Sequence, residues 1–266
     1  ASSIFWTIGH YLNEAVGWRE TLVLFAAINL AVCLPLNWFG LARRENANAD
    51  AAAATTTVAQ THDEPPLEGR MRTVAIALFA LIMSLNSFVF GVVSVQLVPL
   101  LEAAGLASAA AVWVASTKGF AQFGGRVLEI FFGKNLRAIT VARMAIGALP
   151  VSFVVLLLAS GNFHAILAFT LLMGASQGVI TIVRGAVPLA LFGPTGYGAV
   201  LGLVATPVLV VNAASPTLFA LIADQWGWQA AEIVLLASAA SSWLAMELMS
   251  RWYERNRHQA AATRVS

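Results

Sequence analysis

Apolar runs long enough to form membrane-spanning helices alternate with short polar breaks along most of this chain. A helix crosses a hydrocarbon core about 30 Å thick with roughly 20 mostly apolar residues. After a partial run over 1–13, full candidates cover 20–41, 73–100, 107–133, 138–160, 163–192, 196–222 and 228–250. The pattern predicts an all-α, polytopic membrane protein with one half-helix and seven complete spans. The breaks "VGW", "EAAG", "SGNF", "FGPTGYG" and "DQWGW" carry the Gly, Pro, Asn and Asp residues that end helices. One connection is far longer. Residues 42–72 are polar, rich in Ala and Thr, and contain a Pro-Pro pair near their end, which reads as a flexible linker.

Composition agrees with the pattern. The chain is 59% hydrophobic and 11% charged, with a mean hydropathy of +0.78, whereas a soluble domain is about 25% charged. Its formal net charge of +2 does not point to nucleic acid, because the charges are bunched between apolar runs. The single cysteine, Cys33, excludes an intrachain disulfide and reads as a small buried hydrophobe. The start at Ala1 has no initiator Met and no cleavage signal, and "ASSIFWTIGHYL" reads as a helix already under way. The expectation is a fragment whose N-terminal part is missing.

The cations fix an orientation. With the linker in the cytoplasm, alternate breaks place Arg43, Arg44, Arg70, Arg72, Arg126, Lys134, Arg137, Arg143, Arg251, Arg255, Arg257 and Arg264 on that side. Arg19 alone is outside, and Lys118 and Arg184 alone lie within spans. The bias toward positive charge inside favours this arrangement over its inverse.

One short segment occurs twice. "NEAVGWRETLVLF" at 13–25 returns as "ADQWGWQAAEIVL" at 223–235, so that Glu14 falls on Asp224, Gly17 on Gly227, Trp18 on Trp228 and Val23 on Ile233. Both copies lie at the outer face, six helix steps apart. With the long cytoplasmic linker and the "GGR" of Gly124, Gly125 and Arg126 near the inner end of a helix, the chain resembles the major facilitator superfamily over its full length. That family joins two six-helix halves related by an axis along the membrane normal. The resemblance implies a truncated helical bundle, from the end of helix five through helix twelve. Residues 1–41 would end the N-terminal bundle (helices five and six), 42–72 would be the linker, 73–250 the C-terminal six-helix bundle and 251–266 a cytoplasmic tail. "GFAQFGGRVLE" departs from the family's fuller acidic loop motif, with Gln122 and Phe123 where an acid is expected. That motif's gating salt bridge is therefore not carried over to Gly125 and Arg126. The wording is closer to bacterial members similar to monocarboxylate-type porters.

Charges inside a bilayer cost about 2.5–3.5 kcal/mol at a helix centre even on lenient scales, so each needs a reason. Lys118 lies about 18 Å beyond Leu106 along its helix. With Ala111, Ala115, Gln122 and Arg126 it forms one small or polar face, which should meet protein or water rather than lipid. Arg184 lies about 12 Å from the inner end at Phe192, shares a face with Gln177 and Thr181, and precedes Pro188, whose missing N–H frees a carbonyl and permits a bend. Each cation has two readings: contact with substrate or gate, or a structural role through an internal partner or snorkelling. The remaining polar residues singled out within spans are neutral: Ser84, Asn86, Ser87 and Gln96 in one helix and Asn212 and Ser215 in another. Asn86 and Asn212 are helix–helix hydrogen-bonding groups or, since the resemblance implies that helices seven, eight, ten and eleven line the cavity, substrate contacts. Gly174/Gly178 and Gly198/Gly202 both have GxxxG spacing and read as packing sites.

Enzyme signatures are lacking in the sequence: no HExxH, no GxxxxGK[ST], no CxxC, and His10, His62, His164 and His258 are scattered. No acid sits at mid-span, since Glu129, Glu232 and Glu247 lie near helix ends. If transport is proton-coupled, the titrating acid belongs to the missing helices. The sequence thus leads to an expectation of a secondary transporter, without cofactor or metal. It would be multi-pass in the inner (plasma) membrane and move a small solute by alternating access. Two cations and no anion on the candidate faces favour an organic anion. The alternatives are a drug or metalloid exporter of the same superfamily and, more distantly, an integral-membrane enzyme or sensor. The partners expected are the substrate, the lipid bilayer and the missing N-terminal helices.

Overall fold

A computed structural model describes residues 9, 11–13, 15–38, 67, 69–133, 136–194 and 196–263, with side chains through residue 255 except at 132. Residues 42–66 of the expected linker lie outside the described residues, as do His10, Glu14, His62, Lys134 and Arg264, and so do the side chains of Arg257 and His258. No described residue is in a strand. Five helices among the described residues are long and apolar enough to cross a membrane: Trp18–Trp38, Gly69–Ala103, Ala138–Leu157, Phe163–Phe192 and Tyr197–Arg255. The described residues are helical apart from short turns, and their long apolar helices fit a multi-pass membrane bundle.

The helices are numbered in chain order. Helix α1 covers Trp18–Trp38 and passes through a π-helical turn at Asn29–Cys33. Helix α2 is Gly69–Ala103, α3 is Ser108–Leu128 continued by a π-helical turn at Glu129–Gly133, α4 is Ala138–Leu157 and α5 is Phe163–Phe192. The last element, Tyr197–Thr263, is helical throughout except at Gly227, which divides it into α6 (197–226) and α7 (228–263). Helix α3 carries Lys118, Gln122 and Arg126, and it is the one expected span that falls outside the five apolar helices.

The end of the linker and the burial of Cys33 need correction. The apolar run beginning at 73 is preceded by helix from Gly69, so 69–72 belong to α2 rather than to the linker. The tail expected over 251–266 is helical through Thr263, because "RWYERNRHQAAAT" offers Ala, Arg, Glu and Gln and neither Gly nor Pro to stop it. Hydropathy marks where a helix leaves the apolar layer, whereas caps and breakers mark where it ends. Cys33 is exposed rather than buried. It shares that exposure with Leu30, Leu34 and Leu36, as lipid-facing residues do.

The chain divides into two compact units, 1–65 and 66–266. In the first, Gly17 sits between helical residues 15–16 and α1, with φ 86° and ψ 166°. In the second, Gly227 sits between α6 and α7 with φ 83° and ψ 166°. The repeated Gly-Trp therefore takes the same backbone conformation at both places, in a region that is essentially closed to residues with a Cβ. In each case a tryptophan follows at the start of the next helix. Trp228 turns back onto Phe219 of α6, with ring centroids 6.0 Å apart. A Cβ at Gly227 would meet nothing within 4 Å, so the requirement for glycine there is conformational and not steric. Gly227→Ala is accordingly expected to cost about 1–3 kcal/mol, read as a lowered Tm in detergent, and an unchanged Tm would show that the turn relaxes freely.

The second unit is a six-helix bundle. Helix α2 packs along both α6 and α7, α3 against α5, and α4 against α5 and α7. Glycine permits the closest crossings. A Cβ at Gly91 of α2 would collide with Ser215 and the Asn212 carbonyl of α6. Cβ atoms at Gly125, Gly174 and Gly178 would run into the opposing backbones or side chains where α3 crosses α5. Gly174 and Gly178 are thus packing sites as expected. Gly198 and Gly202 are not: both are exposed, with nothing within 4 Å of a Cβ position. The spacing is the same, but only the first pair has a small-residue partner, Ala121 on α3.

Hydrogen bonds then fix the register of the bundle. Ser176 Oγ donates to the Ala145 carbonyl at 2.6 Å, joining α5 to α4. Arg143 grips Glu247 with both prongs at 2.8 Å, joining α4 to α7, and Arg251 adds Nε at 3.1 Å. Pro216 removes the N–H that would serve the Asn212 carbonyl, and Ser215 Oγ takes its place at 2.9 Å, as intramembrane prolines require. Glu247→Gln leaves two arginines facing a neutral amide and is expected to lower Tm by several degrees. Unaltered melting would mean the pair contributes nothing.

Candidate functional site

Polar residues at the middle of three apolar helices build one recess. Asn86 is the central residue of α2, and Gln177 and Asn212 are each within one residue of the centre of α5 and α6. All three line a cavity of about 140 Å³, together with Ser87 and Phe90 of α2, and with Thr181 and Arg184 of α5. Val208 and Leu209 of α6 and Leu149 of α4 supply apolar walls. A second cleft of about 360 Å³ shares Thr181, Arg184, Val208 and Leu209 and extends toward Gly185 and Leu201.

All three amides tie helices together as well as lining the cavity. Asn212 Nδ2 donates to the Ser87 carbonyl at 3.3 Å, and Ser87 Oγ donates back to the Val208 carbonyl at 3.0 Å. Asn86 Nδ2 donates to the Ile82 carbonyl at 3.1 Å and to Ser242 Oγ of α7. Ser242 Oγ in turn donates to the Ile82 carbonyl at 3.2 Å. Gln177 is only 3% exposed. Its Oε1 accepts from Gln122 Nε2 at 3.4 Å, and no described residue accepts from its own Nε2. Thr181 turns its hydroxyl onto the Gly178 carbonyl at 2.6 Å.

The two cations expected within spans are placed differently. Arg184 lines both cavities and is exposed, with no ion pair among the described residues. Helix α5 continues through Pro188 to Phe192, so the proline removes the donor to the Arg184 carbonyl without ending the helix. The Tyr197 hydroxyl donates to the neighbouring Gly185 carbonyl at 3.0 Å. Lys118 is half-buried and lies outside the cavity lining. Its Nζ stands 5.6 Å from the ring centroid of Phe90, whose side chain does line the cavity. The Lys118 face of α3 meets protein, as its small and polar spacing implied: the backbone of Lys118 abuts Gly174 and that of Gln122 abuts Gly178. Further along, Gly125 abuts Ala175, and Arg126 Nε reaches the Gly178 carbonyl at 3.4 Å.

Five of the seven candidate residues therefore share one cavity, Gln122 hydrogen-bonds to one of the five, and Lys118 stands behind its aromatic wall. Sequence reasoning missed Phe90. Its position one turn beyond Asn86 and Ser87 put it on their face, but an aromatic residue in an apolar run carries no polar signal. The recess sets Arg184 and the Gln177 amide beside the amide or hydroxyl groups of Asn86, Ser87, Thr181 and Asn212, and no Asp or Glu lines it. That set suits an anion. Compared with known proteins, the chain matches no protein-family model, no curated protein and no solved structure.

Proposed function

We propose that the chain is the larger part of a secondary transporter of the major facilitator type that carries a small organic anion by alternating access. The observation that carries this reading is the convergence of Asn86, Gln177 and Asn212, each at the midpoint of its helix, on a cavity that also holds Arg184, which has no ion pair among the described residues. Transporters of this kind place substrate near the bilayer midplane between two bundles that rock about it. The exposure of Thr181, Arg184 and Leu209 leaves the recess open on that side, as entry of a solute requires. The shared conformation of Gly17 and Gly227 supports an internal repeat between two halves.

Within the six-helix unit, Arg70, Arg72, Arg137, Arg143, Arg251 and Arg255 gather at the end where α2 begins and α7 leaves the bundle. The opposite end holds the turns at 104–107 and 158–162 and Gly227, and it carries Glu102 and Asp224. The positive-inside bias supports a cytoplasmic first end, and the membrane in this proposal is the inner, or plasma, membrane. Single cysteines at Ser160 and Leu136, in a protein with Cys33 replaced, test this on intact cells with an impermeant thiol reagent. Ser160→Cys should react and Leu136→Cys should not; the reverse pattern would invert the topology and remove this support.

The 266-residue chain on its own should show no counterflow of any organic acid, and co-expression with four preceding helices should restore it. Robust counterflow by the chain alone would mean that it holds both walls of its cavity.

A further inference from the structure

Charged and aromatic side chains line up along the exposed edge of the contact between α4 and α7. The two helices run antiparallel there, so that Arg143 and Gly147 of α4 face Glu247 and Trp243 of α7. Glu247 holds two guanidiniums, Arg143 through Nε and Nη2 at 2.8 Å and Arg251 through Nε at 3.1 Å. Two cations on one carboxylate leave the triad with an excess positive charge. Nη1 of Arg143 and both Nη groups of Arg251 donate to no described residue. The shared carboxylate therefore fixes both guanidiniums while leaving their outer edges free. Arg251 is the more open, its side chain 70% exposed against 37% for Arg143.

Trp243 lies one helical turn, about 6 Å, further into the bundle than Glu247. Its Nε1 stands 2.9 Å from the position a Cβ would take on Gly147, so the bare glycine lets the indole lie across α4. The indole is partly exposed, and its Nε1 also donates to no described residue. Exposed apolar side chains flank the strip and continue beyond it: Met144 and Val151 on α4 and Leu244 on α7.

We propose that this strip is a binding site for an anionic phospholipid. The phosphate meets the free edges of Arg143 and Arg251, an ester carbonyl accepts from the Trp243 indole, and the acyl chains lie on Val151 and Leu244. The order of groups along the strip is that of the lipid. Guanidinium forks match phosphate oxygens in pairs, and Arg143 is only about 7.5 Å in from the start of α4. Tryptophan suits the layer just below, with its ring in apolar surroundings and its N–H on a polar group. A free phosphate would use the arginines and leave the indole and the apolar strip without a role, so the occupant is the lipid. The excess positive charge selects an anionic headgroup over a zwitterionic one, which brings a cation of its own. Exposed Arg255 and Glu254, one turn further along α7, cancel each other. The inference requires only that α4 and α7 span a membrane, and it is independent of what the central recess carries.

Native mass spectrometry of the full-length protein in detergent micelles tests it, with dioleoyl phosphatidylglycerol, dioleoyl phosphatidylcholine and inorganic phosphate as probes. Wild type should hold one phosphatidylglycerol about tenfold more tightly than phosphatidylcholine, and excess inorganic phosphate should not displace it. Arg251→Gln spares the Arg143–Glu247 pair and should weaken phosphatidylglycerol about fivefold or more. Trp243→Phe keeps a ring and loses the N–H, and should weaken both lipids about two- to threefold. Arg255→Gln should leave both affinities unchanged. Equal wild-type affinity for the two lipids, displacement by phosphate, or unchanged binding in Trp243→Phe would each overturn the site. Equal losses in Arg251→Gln and Arg255→Gln would overturn it too, since they would show attraction to the basic end as a whole. The wild-type comparison needs no variant, so a poorly folded Trp243→Phe does not shield the proposal. None of these outcomes bears on the anion-transporter reading.

Discussion

Arg184→Lys is expected to reduce anion transport at least tenfold at normal expression, and Arg184→Ala by about a hundredfold. The guanidinium lines both clefts of the recess and has no ion pair among the described residues. A cation near mid-span costs several kcal/mol if it is not stabilised by something that meets it. A hydrogen bond to a charged partner contributes about 1.5–3 kcal/mol, which corresponds to roughly ten- to a hundredfold in rate or affinity. Lysine keeps the charge and loses the planar fork, so a partial loss identifies two-pronged recognition of a carboxylate. Equal transport by Arg184→Lys would mean that the side chain merely reaches toward the membrane surface. Lys118→Ala should have the smaller effect, because its ammonium acts through the Phe90 ring rather than from the cavity wall.

The second large effect concerns two adjacent glycines. Gly124 and Gly125 both lie inside α3, where alanine would ordinarily stabilise a helix by up to about 1 kcal/mol. A Cβ at Gly124 meets nothing within 4 Å, whereas one at Gly125 would strike the backbone of Ala175 on α5. Backbone cannot swing aside as a side chain can, so the helices must separate, at a cost of about 1–3 kcal/mol. Gly124→Ala should therefore leave Tm unchanged or raise it, and Gly125→Ala should lower it by several degrees. Gly178→Ala, which meets the backbone of Gln122 from the other side of the crossing, should behave like Gly125→Ala. Similar melting of Gly124→Ala and Gly125→Ala would disprove the α3–α5 crossing.

These glycines also mark where the sequence is readable and where it is not. A span announces itself because every residue must be apolar or pay for being otherwise, so α4 and α5 begin at 138 and 163, where the apolar runs do. The Gly-Trp hinges are readable because only glycine enters that backbone region, and the repeated word corresponds to a repeated conformation. A helix–helix crossing depends on two distant stretches at once. Gly174/Gly178 and Gly198/Gly202 have the same spacing, and nothing within either pentapeptide says which one faces a small residue on another helix. The cavity was partly readable for the reverse reason. Asn86, Gln177 and Asn212 are polar at the midpoints of their helices, where lipid forbids polarity, so each had to turn inward, and helices turned inward at the same depth bring such residues together. Phe90 and the pairing of Asn86 with Ser242 gave no such sign: an apolar side chain or a serine is acceptable on either side of a membrane helix.

The measurement that bears most directly on the transporter reading is counterflow in proteoliposomes holding the full-length protein. Vesicles are loaded with an unlabelled small organic acid and diluted into a trace of the same acid labelled. A carrier that exposes its site alternately to the two sides accumulates label transiently above its equilibrium level. The overshoot should appear with wild type, disappear when the internal acid is omitted, and be lost in Arg184→Ala. Label that rises monotonically to equilibrium, or that enters protein-free vesicles equally fast, would contradict alternating access through this cavity.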